Sequence, residues 1–239
     1  MEIRLTKKAK YGSQKHTGMK NLYAAFVFCH VIFGTRRSLL YAPLLILFSS
    51  FLLSACGTRV PLHRQLAPLP SGPICRVAVL PFINDSDYPF GDTIINKVFA
   101  TQFHEAGNYL VIQEGDILKV YQQLHILPGM EPSLEQFQII ADRVNVQLLI
   151  TGIIMEMRED RGEHGANIPL IILEMQIRDG TNGEVLWTTY HRRQGTDYKK
   201  TMHFGTIQTV TGLSRQMAEE IINLWLNRGL KQCNVLPQS

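Results

Sequence analysis

Histidine, cysteine, serine and acid side chains are the groups in this chain that could bind a metal or drive nucleophilic catalysis, and their spacing decides whether they do. There are eight histidines, with His191 and His203 separated by a loop and no cysteine near either. A zinc site needs ligands at fixed offsets, such as His-Glu-x-x-His on one helical face or paired Cys-x-x-Cys. Neither pattern occurs, so no metal is expected. No Gly-x-Ser-x-Gly elbow and no Gly-rich phosphate loop is present, and no cofactor is expected. Asp197, His203 and Ser214 have the residue types of a triad, but spacing alone does not bring such groups together. The chain therefore reads as a protein that is not an enzyme. Arg192, Arg193, Lys199 and Lys200 form a small basic cluster. It is either a solvated strand end or a contact for an acidic subunit or for lipid headgroups.

Cys56 is the thiol whose context specifies a reaction. Arg36 and Arg37 precede an apolar run over residues 38–52, and Leu53-Ser54-Ala55-Cys56-Gly57 follows. A positive segment, a short apolar core and a small-residue cleavage site describe an export signal. The run is shorter than the roughly 20 residues of a membrane-spanning helix. The five residues around Cys56 resemble the lipobox of bacterial lipoproteins. That resemblance implies a diacylated Cys56 as the mature N-terminus, because the sulfur forms a stable thioether and small residues let the signal peptidase close on the backbone. Gly57 in place of Asp implies sorting to the outer membrane. Residues 1–35 carry Lys7, Lys8, Lys10, Lys15 and Lys20 and a second apolar patch over 22–33. A signal of that length is unusual, and a start codon set too far upstream is the expectation.

Charge follows the same division. Before Cys56 there are eight Lys/Arg against one Glu, a net +7; from Cys56 onward there are sixteen against nineteen acids, a net −3. A domain without a basic surplus is not expected to hold nucleic-acid phosphates. With the leader removed and Cys56 acylated, Cys75 and Cys233 remain. Exported pairs can oxidise, and a bridge here would close almost the whole domain into one loop. Two separate thiols are the alternative.

The organisation expected is a leader over 1–55, a Pro-rich tether over 56–74 and a single α+β domain over 75–233. Pro61, Pro68, Pro70 and Pro73 make the tether extended. The β-branched run at 76–82 reads as a buried strand. Ile94, Ile95, Val98, Phe99 and Phe103 recur at helical spacing and stop at Gly107-Asn108. A second strand over 109–113, a short helix from 114 to about 124 and a helix capped by Ser133 with Gln136 follow. Strands over 147–157, 168–178 and 184–192 come next, the last two joined by a Gly-rich turn at 179–183. Ile207, Val210, Leu213, Met217, Ile221 and Leu224 predict a final helix over 206–225. The order is β-α-β-α-α-β-β-β-α, a mixed sheet with helices packed on it.

The opening Val77-Ala78-Val79-Leu80-Pro81-Phe82 with Asn84 resembles the first strand of TolB N-terminal domains, CsgG and related periplasmic lipoproteins. Leu149-Ile150-Thr151-Gly152-Ile153-Ile154, Ile168-Pro169-Leu170 and Gly183-Glu184-Val185-Leu186-Trp187 resemble the PelC-like lipoproteins of Pel exopolysaccharide export. The chain departs from them in its longer 114–133 segment and at Met202-His203-Phe204-Gly205. The resemblance implies a ring on the periplasmic face of the outer membrane that steers a cationic polysaccharide toward an export barrel, relevant to biofilm matrix. It implies that Trp187 lies at the membrane interface, with packing in the core or at a subunit contact as the alternative. It implies acids in the loop between the first two hairpin strands, here Glu159, Asp160 and Glu163 beside His164, with Asp160 and Glu163 as the candidate steering pair. A ring of carboxylates would focus a negative field; a solvated charged turn is the other reading. Two further functions share the fold: an LpoB-like regulator that binds a cell-wall synthase, and a CsgG-like pore, which needs roughly 9–11 amphipathic residues per strand.

Overall fold

The structure is a computed structural model that describes residues 60–162, 165–200, 204–231 and 233. Its elements are β1 (Leu62–Gln65), β2 (Arg76–Val79), β3 (Ile83–Asn84), α1 (Gly91–Gly107), β4 (Leu110–Val111), α2 (Glu114–Gln123), α3 (Leu134–Val144), β5 (Leu148–Arg161), β6 (Asn167–Asp179), β7 (Val185–Gln194), a 3-10 turn at Gly195–Tyr198 and α4 (Val210–Asn227). The class is α+β, one mixed sheet with four helices packed on it. Two strands were not expected. β1 lies inside the stretch read as a tether, and β3 follows directly on the opening strand. Prolines excluded β1 from the reading, yet Pro61 and Pro68 flank the strand and leave its N–H groups free to pair.

The sheet runs β1-β7-β6-β5-β2-β4, with β3 beside β5. Its β2, β3, β4 half is parallel and its β1, β5, β6, β7 half antiparallel. β2 is buried on both faces, which is why its sequence is continuously apolar rather than alternating. The larger core lies on one face of the sheet, where α1 and α4 cover Val79, Ile150, Leu173, Met175 and Trp187. A smaller core under α2 and α3 covers Ala78, Leu80 and Leu149 on the other face. Beyond it that second face is open: Thr151, Glu174, Gln176 and Thr188 are half-buried, and Met155 and Tyr190 are exposed.

β5 extends to Arg161, past the expected end at 157, because β6 continues to pair with it as far as Asn167. A bulge sits between Ile154 and Glu156. Met155 is the extra residue, so the alternation resets and Met157 returns to the buried face beside Ile171. Gly152 leaves room for the Phe82 ring, since a Cβ there would lie 2.1 Å from it. Gly183 takes φ 73°, which closes the β6–β7 turn at little steric cost.

Helix ends follow their sequence signals. Ser133 accepts from the Gln136 N–H while the Gln136 side chain accepts from the Ser133 N–H. α4 starts at Val210, with Thr209 as its cap. Its buried stripe includes Trp225 in place of the expected Leu224, and the indole N–H of Trp225 donates to Thr189 Oγ1 at 2.8 Å. Cys75 and Cys233 are disulfide-bonded with Cα atoms 4.9 Å apart, which ties the start of the domain to the segment after α4.

Candidate functional site

The far end of the β5–β6 hairpin carries the charged residues singled out from the sequence. Glu159 and Asp160 lie within β5 rather than in a loop. Strand alternation puts Glu156, Arg158 and Asp160 on one face. Arg158 pairs with both acids, its Nε 3.1 Å from Asp160, so part of the negative charge is neutralised where it arises. Glu159 faces the other way, and its charge adds to burial in raising the Tyr88 phenol. Glu163 and His164 lie outside the described residues. Among the described tip residues, three acids oppose Arg158 and Arg161, a net −1.

Trp187 is 1 % exposed. The expectation of an indole at a membrane interface is therefore corrected: a ring with no free surface cannot seat in lipid. Strand alternation explains it, since Trp187, Thr189 and His191 point to the face that α4 covers. The basic cluster is divided for the same reason. Arg192 is exposed, whereas Arg193 is buried against α4.

Arg193 belongs to a network that sequence reasoning missed. The Glu220 carboxylate accepts from the Arg193 guanidinium at 2.8 Å, from the Tyr198 hydroxyl at 2.9 Å and lies 2.5 Å from His191 Nε2. Burial pushes the Glu220 carboxyl upward, but the hydrogen bonds of His191, Arg193 and Tyr198 and the Arg193 charge outweigh it and hold it below the ordinary value. Burial, then the Glu220 charge, raises the Tyr198 phenol far above its usual range. The network joins β7, the 3-10 turn and α4, and its saturation with mutual hydrogen bonds marks it as structural. Glu220 stands beside Ile221 in α4, so helical spacing gave no sign of its place.

The triad types are not assembled around a shared point among the described residues. The Ser214 hydroxyl donates to the Val210 carbonyl within α4. Asp197 accepts from the Gln194 N–H at the start of the 3-10 turn. His203 lies outside the described residues. Cys56 does too.

No protein-family model matches the chain, and no curated protein matches it in sequence. Solved structures do. A PelC dodecamer from Paraburkholderia phytofirmans is 16 % identical, with a TM-score of 0.46 over 67 % of this chain and 96 % of that one. A lipoprotein from Neisseria meningitidis is 14 % identical, with a TM-score of 0.47 over 64 % and 99 %. The C-terminal domain of LpoB from Salmonella enterica is 16 % identical, with a TM-score of 0.40 over 60 % and 90 %.

Proposed function

We propose that this chain is a lipid-anchored periplasmic protein of the outer membrane that acts without catalysis, as a ring-forming accessory subunit of exopolysaccharide export. The observation that carries the anchor is Cys56 directly after Leu53-Ser54-Ala55. The Cys75–Cys233 disulfide supports an oxidising compartment. The motifs of the β5–β7 region that resemble PelC-like lipoproteins support the export role.

The position of β1 sharpens the anchor. Leu62 is six residues after Cys56, a reach of at most about 20 Å for an extended chain. The lipid would hold the β1 edge close to the headgroups. Val60, Leu62 and Leu66 are 66 %, 72 % and 50 % exposed, and they take over the membrane-facing part that buried Trp187 cannot play.

Regulation of a cell-wall synthase is the second reading. The open sheet face favours it, because its half-buried Thr151, Glu174, Gln176 and Thr188 give the mixed polarity of a separable interface rather than an obligate one. The pore reading is disfavoured. Much of β5 from Leu148 to Ile154 is packed in the domain, and the projecting remainder is shorter than a bilayer-crossing strand.

Light scattering of the full chain in detergent tests the choice. The export reading expects one species of many chain masses that survives dilution. A monomer at high concentration contradicts it and leaves the regulator.

A further inference from the structure

β1 is an edge strand, joined to the sheet by β7 alone. Of its four residues, Leu62, Arg64 and Gln65 are exposed and His63 is half-buried. The His63 ring meets the Trp187 indole edge to face, with centroids 5.0 Å apart. Its Nδ1 lies 3.2 Å from Thr189 Oγ1. That oxygen already accepts the Trp225 N–H, so the hydroxyl's own proton is free to meet Nδ1, and the imidazole proton sits on Nε2. Nε2 is enclosed and has no hydrogen-bond partner. The seat therefore suits a neutral ring. A second proton would set an N–H on Nδ1 against the Thr189 hydroxyl and leave a charge on a ring whose other nitrogen water does not reach.

No carboxylate is placed to meet that charge. Residues 60–74, β7 and residues 221–231 contain no Asp or Glu. On the same face of β7, His191 and Arg193 are bonded to Glu220. The Glu220 carboxylate is taken up by them and by Tyr198, and Glu219 faces Arg215. The end of α4 and the chain after it bring only cations, Arg228 and Lys231. Burial, then the Arg228 charge, lowers the His63 pKa from its ordinary 6.5. A base that binds its proton more weakly when docked loses docking stability as pH falls below its ordinary value and on through the docked one. We propose that His63 is a proton-operated latch: neutral, it holds β1 on β7; protonated, it releases residues 60–66. Docked, Leu62 is held six residues after Cys56; released, the first side chain still packed on the core is Ala67, eleven residues after it. The reach of the chain from Cys56 grows from about 20 Å to about 40 Å. The latch belongs to the fold, and its effect on the domain's distance from a membrane rests on the lipid proposed for Cys56.

Amide hydrogen exchange on the full chain in detergent tests the latch, read as protection factors corrected for the intrinsic rate at each pH. Between about pH 7.5 and about pH 5, protection over Leu62–Gln65 and at Leu66, whose N–H donates to the Leu186 carbonyl at 2.8 Å, is expected to fall severalfold, while the β5–β6 ladder keeps its protection. His63→Phe keeps a ring against Trp187, His63→Gln keeps an acceptor for Thr189, and neither gains a proton in this range. Each is expected to abolish the pH dependence. The quantity compared is the ratio of protection at the two pH values within one variant, so a β1 that is weaker at both but no longer responds to pH also supports the latch. Equal protection of the parent at both pH values, a fall shared by the β5–β6 ladder, or the same fall in either variant would overturn it. None of these readings depends on Cys56, so a failed latch leaves the anchor standing and a chain without lipid leaves the latch standing.

Discussion

At the scale of single residues, β7 puts three buried polar groups, Thr189, His191 and Arg193, on the sheet face under α4. Glu220 is the clearest case. Its carboxylate satisfies His191, Arg193 and Tyr198 together, and removing a charge that others are buried to meet costs more than the bonds themselves are worth. Glu220→Gln is expected to lower stability by roughly 3 kcal/mol at pH 7, measured by urea unfolding. Because the folded carboxyl is held below its ordinary value of 4.5, its contribution is complete above that value and is lost as pH falls through the folded one. The gap between variant and parent should therefore close in acid. A gap that stays constant down to pH 3 would contradict the network. Little of this was legible beforehand. Glu220 is flanked by Glu219 and Ile221, so no periodicity assigned it inward. Trp187 was read from a motif, whereas its burial follows from strand alternation and from α4 lying across β7.

At the scale of elements, the register of β5 on β6 depends on one extra residue. Met155 has no partner on β6, and its insertion returns Met157 to the core. Deleting Met155 should give a regular ladder with every later side chain on the same face, and stability within about 1 kcal/mol of the parent. Loss of amide protection over 156–161 in hydrogen exchange would contradict that register. The disulfide acts over a far longer range, a sequence separation of 158. Reduction is expected to cost on the order of 4–5 kcal/mol by the chain-entropy model, read as a shift of the denaturant midpoint. An unchanged midpoint would mean that the reduced, unfolded chain is already constrained. The helices and the β5–β7 meander could be read from the sequence because periodicity, the Ser133 cap and the Gly183 turn are local signals. β1 and β3 could not. Each is short, and each is specified by its neighbour across the sheet, β7 for one and β5 for the other. The extension of β5 into charged residues is likewise set by pairing with β6, not by its own apolar pattern.

At the scale of the whole molecule, the function proposed here rests on where the chain is held. β1 begins so soon after Cys56 that a lipid on that sulfur would fix one sheet edge at the membrane and leave the open face of β5, β6 and β7 for other copies or partners. Among the described hairpin residues, Arg158 offsets Glu156 and Asp160. Any focusing would come from repetition around an assembly. The most direct measurement is mass spectrometry of the N-terminal peptide of the native protein from the cell envelope. The account predicts that the chain starts at Cys56 and carries a thioether-linked diacylglycerol, with residues 1–55 gone. An unmodified Cys56 still joined to Ala55, in protein recovered from the cytosol, would contradict it.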